Sequence, residues 1–197
     1  MLFRSDLNSH IWDEWSGGDG TIGKAYGYQM GIKYRFAQGE MDQTDNVIWQ
    51  LKNTPYSRRI MTNIYNFADL KEMNLEPCAY SMTFNVTENR LNGILNQRSQ
   101  DVLAANNWNV VQYAVLIHML AQVTGLVPGE LVHVIADAHI YDRHVDIVRE
   151  MIERPQYPAP KFSLNPEIKD FYDFTLADIK IENYQKNPQI KNIPIAI

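Results

Sequence analysis

Between residues 78 and 86 the side chains alternate. Cys78, Tyr80, Met82, Phe84 and Val86 fall on one face, with Ala79, Ser81, Thr83 and Asn85 on the other. That period of two predicts a strand, and Pro77 suits its first position, where a missing N–H costs least. Residues 42–52 switch to helical spacing, with Val47 and Leu51 four apart and Pro55 beyond the end. From 108 to 124 the chain is almost wholly apolar, through Val110, Val111, Ala114, Val115, Ile117, Met119, Leu120, Ala121 and Val123. This predicts a long central helix buried nearly all round, capped by Asn106-Asn107 and stopped by Gly125. Residues 131–136 read as a short apolar strand and 139–153 as a helix ending at Pro155. Pro155, Pro158, Pro160 and Pro166 break the next stretch of chain into short extended pieces. Mixed strands and helices without repeats or linkers predict one α+β domain over residues 1–197, a mixed sheet flanked by helices.

A chain of 197 residues buries roughly 70% of its unfolded surface, enough for a real core. Its 18 basic against 23 acidic residues give a net charge of −5, which argues against a nucleic-acid coat protein with a basic face. A few local arginines could still grip a small anion. No apolar stretch approaches the ~20 residues that span a bilayer, and Met1 to Asp6 lack the basic-then-apolar layout of a signal peptide. A cytoplasmic location is expected. Cys78 is the single cysteine, so no internal disulfide and no cysteine-based zinc site forms. It is either a small buried hydrophobe or a nucleophile.

Several polar groups have the right chemistry for a site. Arg58-Arg59 follows Ser57, and Arg98 lies in Gln97-Arg98-Ser99-Gln100-Asp101. A guanidinium fork matches phosphate bidentately, although surface ion pairs would use the same residues. A cation near a thiol favours thiolate, and a strand pair turning around Asn89 would bring Cys78 and Arg98 together. Asn109 either hydrogen-bonds locally or offers a donor and an acceptor to a planar amide such as a pyrimidine edge. Asp137, His139, Tyr141 and His144 come after an apolar strand, but the two histidines are five apart and share no helical face for a metal. His118 sits on an apolar helix as a core histidine would. Trp12 and Trp15 either stack on a flat ligand or fill the core. Gly17-Gly18-Asp19-Gly20 is a tight turn without the spacing of a phosphate loop.

In their joint order these segments resemble the thymidylate synthase family. Glu76-Pro77-Cys78-Ala79-Tyr80 is similar to its catalytic Pro-Cys segment, and Gln97-Arg98-Ser99-Gln100-Asp101-Val102 to its Gln-Arg-Ser-x-Asp signature. Trp108-Asn109, Asp137-Ala138-His139-Ile140-Tyr141, Ile11-Trp12-Asp13-Glu14-Trp15, Ser57-Arg58-Arg59 and the tail Pro194-Ile-Ala-Ile197 keep the family's order. The resemblance implies a methyltransferase that converts dUMP to dTMP, with 5,10-methylenetetrahydrofolate as co-substrate supplying carbon and hydride, and no metal. It implies that Cys78 adds at uracil C6 and that Tyr26 helps remove the C5 proton. Arg98 and Ser99 would hold the phosphate, Asn109 the ring, and His139 and Tyr141 the ribose hydroxyl. Asp101 would serve nucleotide and folate alike. Ile11, Trp12, Trp15 and Leu75 would line the folate site, with Ala196 and Ile197 closing over it. Arg58 and Arg59 would reach the phosphate site of the partner subunit in an obligate homodimer, with neither nucleic acid nor membrane needed.

Three departures stand out. Ala79 replaces a frequent histidine, Ala105 a frequent glycine, and the family's amino-terminal portion has no counterpart. The chain is therefore expected to be either a fragment or a shortened member. Two rival readings stay open: an inactive relative that binds nucleotide without turnover, and a pyrimidine hydroxymethylase finishing with water instead of hydride, whose dCMP version Asn109 disfavours.

Overall fold

The computed structural model describes residues 13–191, 193 and 194. The alternating segment forms β4 (Ala79–Thr87), the longer of two strands in an antiparallel hairpin with β5 (Arg90–Gln97). Glu88 and Asn89 make the two-residue turn, with φ of 48° and 64°. Positive φ at both positions matches the right-handed twist of the flanking strands. Met82, Phe84 and Val86 point into the core as their alternation predicts. The register slips between Ala79 and Ser81, and this bulge resets the phase, so that Ala79 rather than Cys78 is fully buried at the start. Cys78 lies just before the strand, half exposed.

Four strands make the main sheet. β3 (Met61–Asn63) pairs antiparallel with β4, and β7 (Val127–Ile135) runs parallel to β5, giving the order β3-β4-β5-β7. A parallel pair needs a crossover connection, supplied by the helix α3 (Asn106–Thr124). β7 starts four residues earlier than its apolar run suggests, because Val127 pairs with Arg90 at the far end of β5. β6 (Gln100–Asp101) and β8 (Ala138–His139) continue beyond these strands as a second parallel pair. The predicted α+β architecture, a mixed sheet with helices against it, is the observed one.

The core sits between the sheet and two helices. α2 (Gln43–Asn53) brings Val47 and Leu51 inward, and Asp42 caps it by accepting from the Asp45 N–H. α3 brings Ile117, Leu120 and Ala121 against Ile60, Met82, Phe84 and Leu91. Each such side chain contributes about 1.5–3 kcal/mol when fully removed from water. Gly93 lets α3 approach closely, since a Cβ there would lie 2.3 Å from Met82 Cε and 3.1 Å from Ile117 Cδ1.

Three expectations need correction. Asn106 and Asn107 lie inside α3 and do not cap it. Ala105 is the capping position, without a side-chain bond, and Asp101 Oδ1 instead accepts from the Leu103 and Ala104 N–H groups upstream. Gly125 ends the helix at φ 73°, as expected. Nor is α3 buried all round, for Trp108 is 63% and Val111 59% exposed. Finally, the helix expected over 139–153 is shorter. His139 belongs to β8, a single 3₁₀ turn covers Asp142–His144, and α4 is Val145–Ile152. Backbone bonds from Gln100 to Asp137 and from Val102 to His139 hold that stretch extended. Upstream lie a short helix α1 (Gly27–Gly31) and the hairpin β1 (Tyr34–Phe36) with β2 (Gly39–Met41). Downstream, β9 (Lys161–Leu164) pairs with β10 (Ile179–Glu182). Among the described residues no helix is long and apolar enough to cross a membrane.

Candidate active site

The hairpin positions the central pair. Ala79 pairs with Gln97, so the residues flanking them, Cys78 and Arg98, sit side by side where β4 begins and β5 ends. The Arg98 N–H donates to the Cys78 carbonyl at 2.9 Å. Its guanidinium donates to the carbonyls of Pro77 at 3.1 Å and Glu76 at 3.0 Å, which sets Nη2 3.9 Å from Cys78 Sγ. Two backbone carbonyls thus orient the fork and hold a fixed positive charge beside the sulfur.

Tyr26 reaches the same place from fifty residues away. Its phenol oxygen accepts from the Cys78 N–H at 3.0 Å. Its backbone φ of 41° is uncommon for a bulky residue. Burial, followed by the nearby Cys78 and Tyr113, pushes the phenol well above the usual tyrosine range, so it stays neutral. Beside it Trp15, on a 3₁₀ turn, packs with Tyr26 and Leu70 against Ile22, Ala25 and Met73. Leu75 lies half-buried just beyond, after Asn74 has bonded back to the Ile22 carbonyl.

A buried amide network runs behind this pair. Gln97 Nε2, with two hydrogens, faces the Ser99 carbonyl at 2.8 Å, Gln100 Oε1 and, farthest, Asn109 Oδ1 at 3.4 Å, while Gln97 Oε1 meets His133 Nε2 at 2.8 Å. Asn109, half-buried near the start of α3, turns its Oδ1 toward this network. Burial lowers the pKa of His133 below the usual histidine value. In the sequence Gln97 stands out only as part of a signature. Its burial is nonetheless readable from strand period, since it falls in phase with Leu91, Gly93 and Leu95 on β5. His133 gives no comparable signal.

The β6–β8 pair assembles the third part. Asp101 stands opposite His139. The His139 ring packs edge-on to Tyr141, and Tyr141 in turn to His144, at 5.1 and 5.7 Å. His139 Nδ1 is buried without a hydrogen-bond partner among the described residues, 3.8 Å from the Asp137 carboxylate. Ser99 is half-buried between Arg98 and this pair.

Arg58 and Arg59 stand apart, both exposed on the turn between α2 and β3. The Ile60 carbonyl accepts from the Phe84 N–H at 2.8 Å. That places the arginine pair six residues along β4 from Cys78, about 20 Å at the rise of a strand. Arg59 borders an open hollow of about 480 Å³ with Trp49, Gln38 and Gln50. Ile11, Trp12, Ala196 and Ile197 lie outside the described residues.

Comparison with known proteins gives the family. The thymidylate synthase family profile matches residues 3–196. The chain belongs to the thymidylate synthase family. A thymidylate synthase of Bacillus atrophaeus is 46% identical over 190 residues, covering 94% of this chain and 84% of that protein. Thymidylate synthase 1 of Bacillus subtilis strain 168 is also 46% identical, over 94% of this chain and 68% of its own length. Among solved structures, the thermostable thymidylate synthase A from Bacillus subtilis superposes with a TM-score of 0.91 at 42% identity. It covers 96% of this chain, which spans 69% of that structure.

Proposed function

We propose that this thymidylate synthase family member carries out the reductive methylation of dUMP to dTMP in the cytoplasm, with 5,10-methylenetetrahydrofolate as co-substrate and dihydrofolate as second product. The observation that carries the reading is the Cys78–Arg98 pair, with Tyr26 on the cysteine's own amide. Uracil C5 is a poor nucleophile until a thiolate adds at C6. Cys78, half exposed with a guanidinium alongside, suits that addition, which leaves C5 enolate-like and able to attack an electrophilic carbon. The folate supplies the one-carbon unit and the hydride. Tyr26, kept neutral by burial, acts as an orienting hydroxyl in removal of the C5 proton rather than as a phenolate base.

Other groups fit the two ligands. Arg98 and Ser99 hold the phosphate. Asn109 donates through its amide N–H₂ to the uracil carbonyl. His139 brings an unsatisfied ring nitrogen for a sugar hydroxyl, with Tyr141 beside it. Asp101 Oδ1 is occupied by two backbone N–H groups, and Oδ2 remains for a pterin donor. Trp15 and Leu75 offer an apolar wall, with Ile11, Trp12, Ala196 and Ile197 expected to complete it. Arg58 and Arg59, about 20 Å along β4 from their own cysteine, serve the phosphate site of the partner subunit in a homodimer. Val132 and Val134, exposed on the sheet, suit such a second copy. Residues 1–197 work as one domain.

Intact-protein mass spectrometry tests the whole reading. With 5-fluoro-dUMP and methylenetetrahydrofolate the fluorine blocks loss from C5, so a working site stops as a ternary adduct on Cys78. An adduct absent from Cys78→Ser is the expected result. No adduct on a folded chain would leave a nucleotide binder without turnover.

A further inference from the structure

His144 is 1% exposed and takes no part in the chemistry of methyl transfer. Its Nε2 lies 2.7 Å from the Pro194 carbonyl, fifty residues on. Its other ring nitrogen, Nδ1, has no hydrogen-bond partner among the described residues and faces Asp101 Oδ2 at 4.0 Å. That distance is too long for a hydrogen bond. One buried ring thus stands between the carboxyl-terminal segment and the carboxylate assigned to the folate.

The segment is tied down at a second point. Arg154 Nη1 donates to the Pro188 carbonyl at 2.8 Å, and Asn187 Nδ2 to the Pro155 carbonyl at 3.1 Å. Pro188 is therefore held by a residue just beyond the end of α4 and Pro194 by one just before its start, so these two points of the chain lie at opposite ends of that helix. The six residues from 188 to 194 can reach about 20 Å when extended, and the ten from 144 to 154 about 15 Å in helical rise. The Arg154 tie lies near solvent, whereas the His144 tie is buried and ends at Asp101 and Tyr141.

We infer that His144 is a positioning residue, which fixes the tail at Pro194 relative to Asp101 so that both meet the reduced folate in register. This rests on the proposed folate site. An Nε2–H that donates to Pro194 makes one buried bond, and its loss is worth roughly fivefold to tenfold in the affinity that depends on it.

Two variants separate the ring's two edges. The amide nitrogen of His144→Gln reaches the position of Nε2, whereas that of His144→Asn stops near Nδ1. Amide exchange of a peptide spanning 189–194 reports the tie without requiring turnover. Faster exchange in His144→Asn but not in His144→Gln is expected. With it the Asn variant's KM for methylenetetrahydrofolate rises about fivefold to tenfold while the KM for dUMP holds. His144→Ser repeats the comparison should the Asn variant not fold. Equal exchange in the two edge variants, or both KM values rising together, overturns the inference. If the parent chain does not turn over, the exchange result decides this inference alone, and the proposed reaction is what fails.

Discussion

Arg98 reaches Cys78 twice, once through its backbone N–H at 2.9 Å from the cysteine's carbonyl and once through a guanidinium nitrogen 3.9 Å from the sulfur. The first contact is ladder geometry, which any residue would make. The second depends on the fork, since two carbonyls of the preceding turn aim it. Arg98→Lys keeps the charge but loses that aim. The variant should fold, alkylate more slowly at Cys78 with iodoacetamide, and lose about tenfold to a hundredfold in kcat/KM for dUMP. Unchanged values for both would remove Arg98 from the phosphate and from the sulfur.

Tyr26 makes a narrower prediction. The phenol is pushed up chiefly by burial and next by Cys78, so it stays protonated throughout the working range. Tyr26→Phe should lower kcat by about a hundredfold or more while dUMP binding changes little. The shape of the pH–rate profile below pH about 10 should survive the substitution, because the buried Tyr26 phenol does not titrate there. An alkaline limb that disappears in Tyr26→Phe would mean the phenolate is the base.

Much of this site is legible in the chain because its parts are local. The alternation of Met82, Phe84 and Val86 specifies a strand, and a turn at Asn89 returns it, so Cys78 and Arg98 have to meet. Features that the pattern misses depend on distant partners. The bulge beside Tyr80 reverses the strand's phase and leaves Cys78 half exposed, which strict alternation does not foresee. His139 reads as the start of a helix on apolar spacing, yet backbone bonds to Gln100 and Val102 pull its stretch into a strand. Asn106 looks like a cap by residue type, but Asp101 meets the N–H groups ahead of that helix. Exposure of Val111 on an apolar helix likewise depends on the elements that pack against α3, not on its own sequence.

In the proposed reading Asn109 meets the uracil ring. Its amide N–H₂ is then the donor toward a uracil carbonyl, with the Oδ1 edge turned to Gln97. Asn109→Asp removes that donor and places an acceptor opposite the ring. The ratio of kcat/KM for dUMP over dCMP should fall by about tenfold or more, since a buried mismatch costs more than a lost contact. An unaltered ratio would take base selection away from Asn109.

Stability should depend on pH through two histidines. Burial lowers the pKa of both His118, edge-on to Phe162, and His133, bonded to Gln97. A histidine depressed in the fold binds fewer protons there than in the unfolded chain, so its contribution is complete above the unfolded value of about 6.5 and is lost as the pH falls below it. The melting temperature should therefore drop between pH about 7 and 5.5. His133→Gln should flatten part of that slope, and a parallel slope in the variant would assign the loss to other groups.

Gly93 tests the packing of the helix that carries Asn109. It sits mid-strand on β5 at an ordinary backbone conformation, so the argument is space and not φ. A methyl group there meets Met82 Cε at 2.3 Å and Ile117 Cδ1 at 3.1 Å. Met82 is flexible at its end, but both residues are buried in the core, and relief for one crowds another. Gly93→Ala should cost about 1–3 kcal/mol by overpacking, against the small gain that Gly→Ala brings where room exists. Denaturant midpoints of the two proteins measure the difference. Because α3 also holds Asn109 over Gln97, a shift of the helix should raise the KM for dUMP alongside the lost stability. A variant as stable as its parent would show that Met82 gives way freely and that the close approach of α3 to β5 is not set by Gly93.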